Sequence, residues 1–376
     1  MTIGRTIQVG SDNINVHKES AIKGHAAGYE GVQMAAFQRG PGPWREALGI
    51  DFASRKTLKV PEVLHEIKPV GKAIVKCPPY LLSKEDVAKI FDPPDDSNGS
   101  FEFNVSSFKD FCFLFYRMFT DVSTNPLANW ANFHKHLRAD QKMPASEVGL
   151  FPLLNAKADD HDAINTVGDR VIQIAKMLNL PEVWLINDQA VFAPNYEVKW
   201  TRGPDWKNLY NAMGGLHIIC TFLATIGNHM QGSELEELWV EAGITTSGIA
   251  DKVMRGKDYK AGMTLHGISW RSGFKVILKK FLDKSRVDHP KMMEDLEASA
   301  KSIDDVDDLF AIISTQEFQD VFTEFIDSMM EHKTFKYYMS YLDMLQTLFS
   351  FSQGQRGTDW DLYHFTFKDM LDYMMR

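Results

Sequence analysis

The chain has 376 residues, which at about 150 per domain gives two or three folding units. Its 44 % apolar and 24 % charged content is ordinary for a globular protein and excludes the disordered, collagen-like and disulfide-stapled classes. Lys and Arg number 41 against 50 Asp and Glu, a formal charge of −9, so nucleic-acid contact has to come from a local patch.

Three cysteines, Cys77, Cys112 and Cys220, are odd in number and form no CxxC pair. They point to free thiols in a reducing compartment, nucleus or cytoplasm, and away from a structural zinc finger. The N-terminus lacks the apolar run of a secretion signal. The most apolar stretch, Phe111 to Phe119, contains Arg117 and is far short of the roughly 20 residues that span a bilayer. A soluble intracellular protein with no membrane partner is expected.

In chain order, Thr6 to Val9 (TIQV) predicts a short strand running into Ser11-Asp12-Asn13, and Gly31 to Gln38 a second extended piece. The run RGPGPW at 39–44 breaks any regular element. Residues 45 to 100 are punctuated by Pro61, Pro69, Pro78, Pro79 and the loop FDPPDDSNGS at 91–100. From Ser106 the pattern is apolar nearly all round, the mark of a buried helix. Only Lys109 and Arg117 interleave its aromatics, so a core fits better than a base-stacking platform. Residues 148–154 read as a buried strand that its proline makes an edge or short strand.

Asp160 to Leu178 predicts a helix, with Ile164, Val167, Val171, Ile174, Ala175 and Leu178 at the 3.6 period. Val183 to Ile186 is the next strand, ended by Asn187-Asp188-Gln189, and strand–helix–strand predicts a βαβ crossover in an α/β sheet. Beyond Trp200 the chain reads as mostly helical. Leu216 to Met230 is one helix, and Ser233-x-x-Glu236 is a capping box opening another. Apolar stripes at Phe274–Leu282 and Phe318–Met330 are core faces or a partner-binding face.

The chemical candidates follow from this layout. Asp12 and Asp188 each follow a predicted strand, and in α/β sheets ligand chemistry sits beyond the carboxyl ends of strands. Two such carboxylates with a third can hold Mg²⁺ or Mn²⁺ and drive phosphoryl transfer. The plainer reading is that both are turn residues bonding their own backbone. His217, behind Gly214-Gly215, is either a metal or phosphate contact or a packed histidine. Glu241 ends its helix before Ala242-Gly243, nearer the buried side by its spacing from Leu238. Arg271, Lys275, Lys279, Lys280, Lys284, Arg286 and Lys291 give residues 271–291 a net +5, the one segment suited to phosphate, whereas residues 294–308 carry −6 and read as a solvated linker or helix face.

The ordered motifs SDNIN (11–15), LFPLLNA (150–156), LINDQAVF (185–192), GGLHIICTFLATIG (214–227), LWVEAG (238–243) and TDWDLYHFTFKDML (358–371) resemble a poorly characterised family of long, transposon-associated open reading frames in animal genomes, cnidarians among them. The resemblance implies a ribonuclease-H-like transposase core. In it Asp12 and Asp188 are the first two catalytic acids and metal ligands, and Glu241 is the third, with Glu331 or Asp343 as alternatives. His217 is then a DNA-site histidine like that of Mutator-like transposases.

The expected architecture is therefore an α/β, ribonuclease-H-like mixed sheet from 1–44 and 146–243, a mainly helical insertion at 45–145 and a helical region at 244–376. The expected activity is Mg²⁺- or Mn²⁺-dependent cleavage or strand transfer of DNA phosphodiesters, either active or domesticated and silent. DNA is held through the local basic patch by Arg271, Lys275, Lys279, Lys280, Lys284 and Arg286, and a homo-oligomer is a further expectation. The competing reading is a catalytically silent scaffold that binds protein partners through the C-terminal helices.

Overall fold

Apolar residues at helical spacing dominate the chain, and of the residues described with their side chains 74 % are helical. The computed structural model describes residues 8–18, 27–39, 52–53, 63–64, 66–76, 105–120, 125, 127, 129–137, 146–151, 153–302, 304–357 and 359–375. In 8–18, 27–39, 52–53, 63–64, 105–108, 146–150 and 153 it describes the backbone alone. The break at 40–44, Cys77 and the loop at 91–100 lie outside the described residues.

The elements begin with β1 (Gln8–Lys18), β2 (Ala27–Arg39), β3 (Phe52–Ala53), β4 (Val63–Leu64), α1 (Val105–Phe119), α2 (Trp130–His136), β5 (Ser146–Leu150) and β6 (Leu153–Leu154). Then come α3 (His161–Met177), β7 (Val183–Asn187), α4 (Gln189–Arg202), β8 (Leu209–Met213), α5 (Gly215–His229), α6 (Leu235–Glu241) and α7 (Ser247–Met254). The chain ends with α8 (Tyr259–Asp288), α9 (Pro290–Ser299), α10 (Val306–Ile313), α11 (Gln316–Met330), α12 (Lys333–Gly357) and α13 (Trp360–Met375). Two compact units divide it, one of residues 1–81 and 142–218 and one of 82–141 and 219–376, against expected breaks at 44/45, 145/146 and 243/244.

The expected α/β, ribonuclease-H-like mixed sheet is corrected. The protein is mostly helical, and the strands described with their side chains, β7 and β8, form a two-stranded parallel sheet. The stretch Val183–Asn187 that helped point to an α/β class is only five residues long, whereas the 3.6-period stripes run through 15 residues of α11 and 30 of α8. At the level of the backbone, β1 pairs parallel to β7 and antiparallel to β2, and β2 in turn pairs antiparallel to β5. The strand expected to end at Val9 runs on through Asp12 to Lys18, and the edge or short strand expected at 148–154 is two short strands, β5 of five residues between β2 and β3 and β6 of two.

In the first unit Asp160 caps α3, its Oδ1 accepting from the N–H groups of Asp162 and Ala163. The buried face of α3, Ile164, Val167, Val171 and Ile174, packs with Val183, Leu185 and Leu209 of the strands and Val191 and Val198 of α4. Each such side chain contributes about 1.5–3 kcal/mol of burial. Trp206 fills the space over Gly168, where a Cβ would sit 2.2 Å from its ring. A strap at 66–76 has no regular structure, so side chains satisfy its backbone: Lys68, Val70 and Val75 donate to Thr166, Asp162 and Thr201.

The sequence reading missed both α4 and β8. Pro194 lies inside α4 and LYNAM has weak strand chemistry, yet α4 covers β8, with Lys199 Nζ and Tyr196 Oη donating to the carbonyls of Leu209 and Asn211. Those donors blunt a strand paired only with β7. The second unit is a bundle around α8, whose Phe281 meets Phe318, Phe322 and Phe325 of α11 at centroid distances of 5.0–5.7 Å. The apolar stripes of α8 and α11 are thus core. The capping box does not form: Glu234 at φ 62° is the cap residue of α6, with no side-chain bond. At Gly227 a Cβ would fall 1.8 Å from the Met254 carbonyl oxygen, so only glycine lets α5 approach α7. Among the described residues no helix is long and apolar enough to cross a membrane.

Candidate active site at the carboxyl ends of parallel strands

Parallel pairing brings the carboxyl ends of β7 and β8, and the point where β1 leaves β7, to one side of the first unit. The register sets Ser11 opposite Asn187 and Asn187 opposite Met213. Asp12 and Asp188 are therefore the next residues on neighbouring strands, about 5 Å apart at the backbone. Asp12 is not a turn residue, because β1 continues and pairs it with Gln33 of β2. It is instead the first β1 residue past the β7 pairing.

Asp188 closes β7 and caps α4, its Oδ1 accepting from the Ala190 N–H at 3.3 Å. The same oxygen lies 3.1 Å from His217 Nε2. Among the described residues Oδ2 has no hydrogen-bond partner. The two side chains are 31 % and 33 % exposed, so the pair is open to a ligand. His217 arrives because the Gly214 N–H donates to the Asn187 carbonyl at 2.9 Å, closing the β7 and β8 ends together and starting α5. Gly214 is not a steric requirement, since a Cβ there would sit 3.5 Å from the Asn187 oxygen, an ordinary contact.

The remaining expected residues belong to the second unit. Glu241 is exposed rather than near the buried side: Leu235 and Trp239 face the core, and Glu241 is some 200° further round from Trp239. Glu331 is the exposed C-cap of α11. Asp343 is exposed on α12 and accepts from the Tyr373 hydroxyl. Among the described residues no group of three His, Cys, Asp or Glu side chains could hold a metal ion. The side chain of Asp12 lies outside that set.

Of the basic segment, Lys275, Lys279, Lys280, Lys284 and Lys291 are exposed. Arg271 is partly buried, its guanidinium lowered to about 10 by desolvation and by Arg117. Arg286 is committed to Glu297 at 2.6 and 2.8 Å and to Asp283 at 3.3 Å.

What the sequence reading lacked was the Asp188–His217 contact, although it singled out both residues. The available signal was Asp188 followed by a helix-compatible QAVFA, an N-cap pattern. A domain of unknown function (DUF8702) matches residues 129–375, well over half of the chain. The chain belongs to that family. The DUF8702 match takes in Asp188, His217, Glu241 and the basic segment, and Asp12 precedes it. No curated protein and no solved structure matches the chain.

Proposed function

We propose that the protein is a divalent-metal-dependent enzyme that cleaves or transfers DNA phosphodiesters, as a transposase-like protein does. The β1–β7 register carries the reading, because it sets Asp12, the first residue of β1 past its pairing with β7, beside Asp188 at the carboxyl end of β7. Oxygen-only donors of this kind fit Mg²⁺ or Mn²⁺. Asp12 and the open Oδ2 of Asp188 would hold the ion, which supplies charge for the attacking and leaving oxygens. His217 fixes the orientation of Asp188 through Oδ1, as a second-shell histidine–carboxylate pair does. Within this reading the exposed lysines of α8 meet the DNA backbone, without Arg271 and Arg286, and the resemblance to transposon-associated reading frames supplies DNA as substrate.

The test is supercoiled-plasmid nicking in Mn²⁺ by wild type, Asp12→Asn and Asp188→Asn. Asparagine keeps the helix cap of Asp188 while removing its charge. The expected outcome is nicking by wild type and a loss of about 10²-fold or more in each variant. Inactive wild type, or variants as active as it, would overturn the reading.

A further inference from the structure

The solvent side of α8 is arranged in lines. Phe274, Ile277, Leu278, Phe281 and Leu282 are buried. At 100° per residue, Lys275 and Lys279 flank one side of the exposed arc and Lys280 and Lys284 the other. Between them stand Val276 and Val287, 61 % and 81 % exposed. The next two helices have the opposite sign, with Glu294, Asp295, Asp304, Asp305, Asp307 and Asp308 all exposed. Among the described residues none of these four lysines and six carboxylates enters an ion pair. Arg286, at the α8–α9 corner, is the one point where the two surfaces already meet, through Glu297.

Each surface repels itself within a monomer, and each is what the other lacks. We propose that the lysine ridge of α8 docks on the acidic run 294–308 of a second copy of this chain. Around a twofold axis each chain gives one ridge and one acidic run, so both contacts form together. Val276 and Val287 supply an apolar centre and the charges a polar rim that sets orientation. DNA would compete for the same ridge, but self-association stands without the enzymatic reading. Contacts between exposed charges fade as the Debye length shortens, so the dimer is salt-sensitive.

Sedimentation velocity of the full chain tests this. A dimer is expected in about 50 mM NaCl and a monomer in about 500 mM, where screening is several-fold shorter-ranged. Lys279→Glu with Lys280→Glu should give a monomer at both, and adding Glu294→Lys with Asp295→Lys should restore the low-salt dimer. A monomeric wild type at low salt, a dimer indifferent to the lysine reversal, or no rescue by the compensating pair overturns the proposal. If the lysine reversal abolishes binding of a short DNA duplex while sedimentation is unchanged, the ridge is a nucleic-acid surface and the dimer is again overturned.

Discussion

Each unit contains an aspartate holding a histidine, and the surroundings of the two pairs differ. In the helical unit Asp110 is fully buried and accepts from His134 at 2.9 Å, from Trp130 Nε1 at 2.7 Å and from Gln346. In the strand unit Asp188 is about a third exposed, meets His217 at 3.1 Å and, among the described residues, has no hydrogen-bond partner at Oδ2. The same two side chains make a strut in one place and a solvent-exposed edge in the other. Burial and the number of donors decide which: a carboxylate saturated in a dry interior ties α1, α2 and α12 together, whereas one left half-satisfied at a strand end can accept a cation.

The comparison is broken most forcefully at Asp110. Replacing it by Ala strands the buried His134 and takes an acceptor from the half-buried Trp130 and Gln346, and should cost about 3–5 kcal/mol, read from urea denaturation. A cost under about 1 kcal/mol would show that the network is not a strut. The helical unit also carries two opposite pH signatures. His266 is buried against Trp239 and Tyr341, and desolvation lowers its pKa from 6.5 to about 3. The unfolded chain takes up that proton first, so stability falls as pH drops from 6.5 toward 3, by at most about 1.4 kcal/mol per pH unit. His266→Phe should flatten that limb.

Asp369 has the reverse sign. Desolvation first, then Asp343 and Asp372, raise its carboxyl from 3.8 to about 6, opposed by Lys368. Its contribution is complete below 3.8 and is lost as pH rises through 6. Asp369→Asn should therefore raise Tm at pH 7 and leave it unchanged below about pH 4, a difference calorimetry reads directly.

These signatures mark what could be read from the chain. Helices with a clean stripe, such as α3 with its Asp160 cap and α11 with Phe318, Phe322 and Phe325, were legible because burial and the 3.6 period coincide. The α4 helix was hidden by Pro194, which costs one backbone bond that packing over β8 offsets. Asp110 was hidden inside FKDFCFLF, although a carboxylate in an otherwise apolar run is itself a sign of buried partners. Of the site, Asp12, Asp188 and His217 were each visible as residue types after strands or glycines. Their juxtaposition depends on which strands pair and in what register, which local pattern does not encode. The expected burial of Glu241 is corrected for the opposite reason: its spacing from Leu238 was read as a buried side, but Leu238 is itself 59 % exposed.

The smallest expected effect on stability is the one that sharpens the contrast furthest. Asp188→Ala removes the cap of α4 and the His217 contact, both partly solvated, and should cost only about 1 kcal/mol. Asp188→Asn should cost a few tenths, since the amide oxygen still accepts from Ala190. A structural residue loses stability and function in proportion, as Asp110 should. A residue that holds a cation loses function with almost no stability, and Asn is then no better than Ala. Measuring unfolding and Mn²⁺ nicking on both Asp188 variants separates the two cases: near-native stability with activity lost in both places Asp188 in the chemistry, and activity rescued by Asn reduces it to a helix cap.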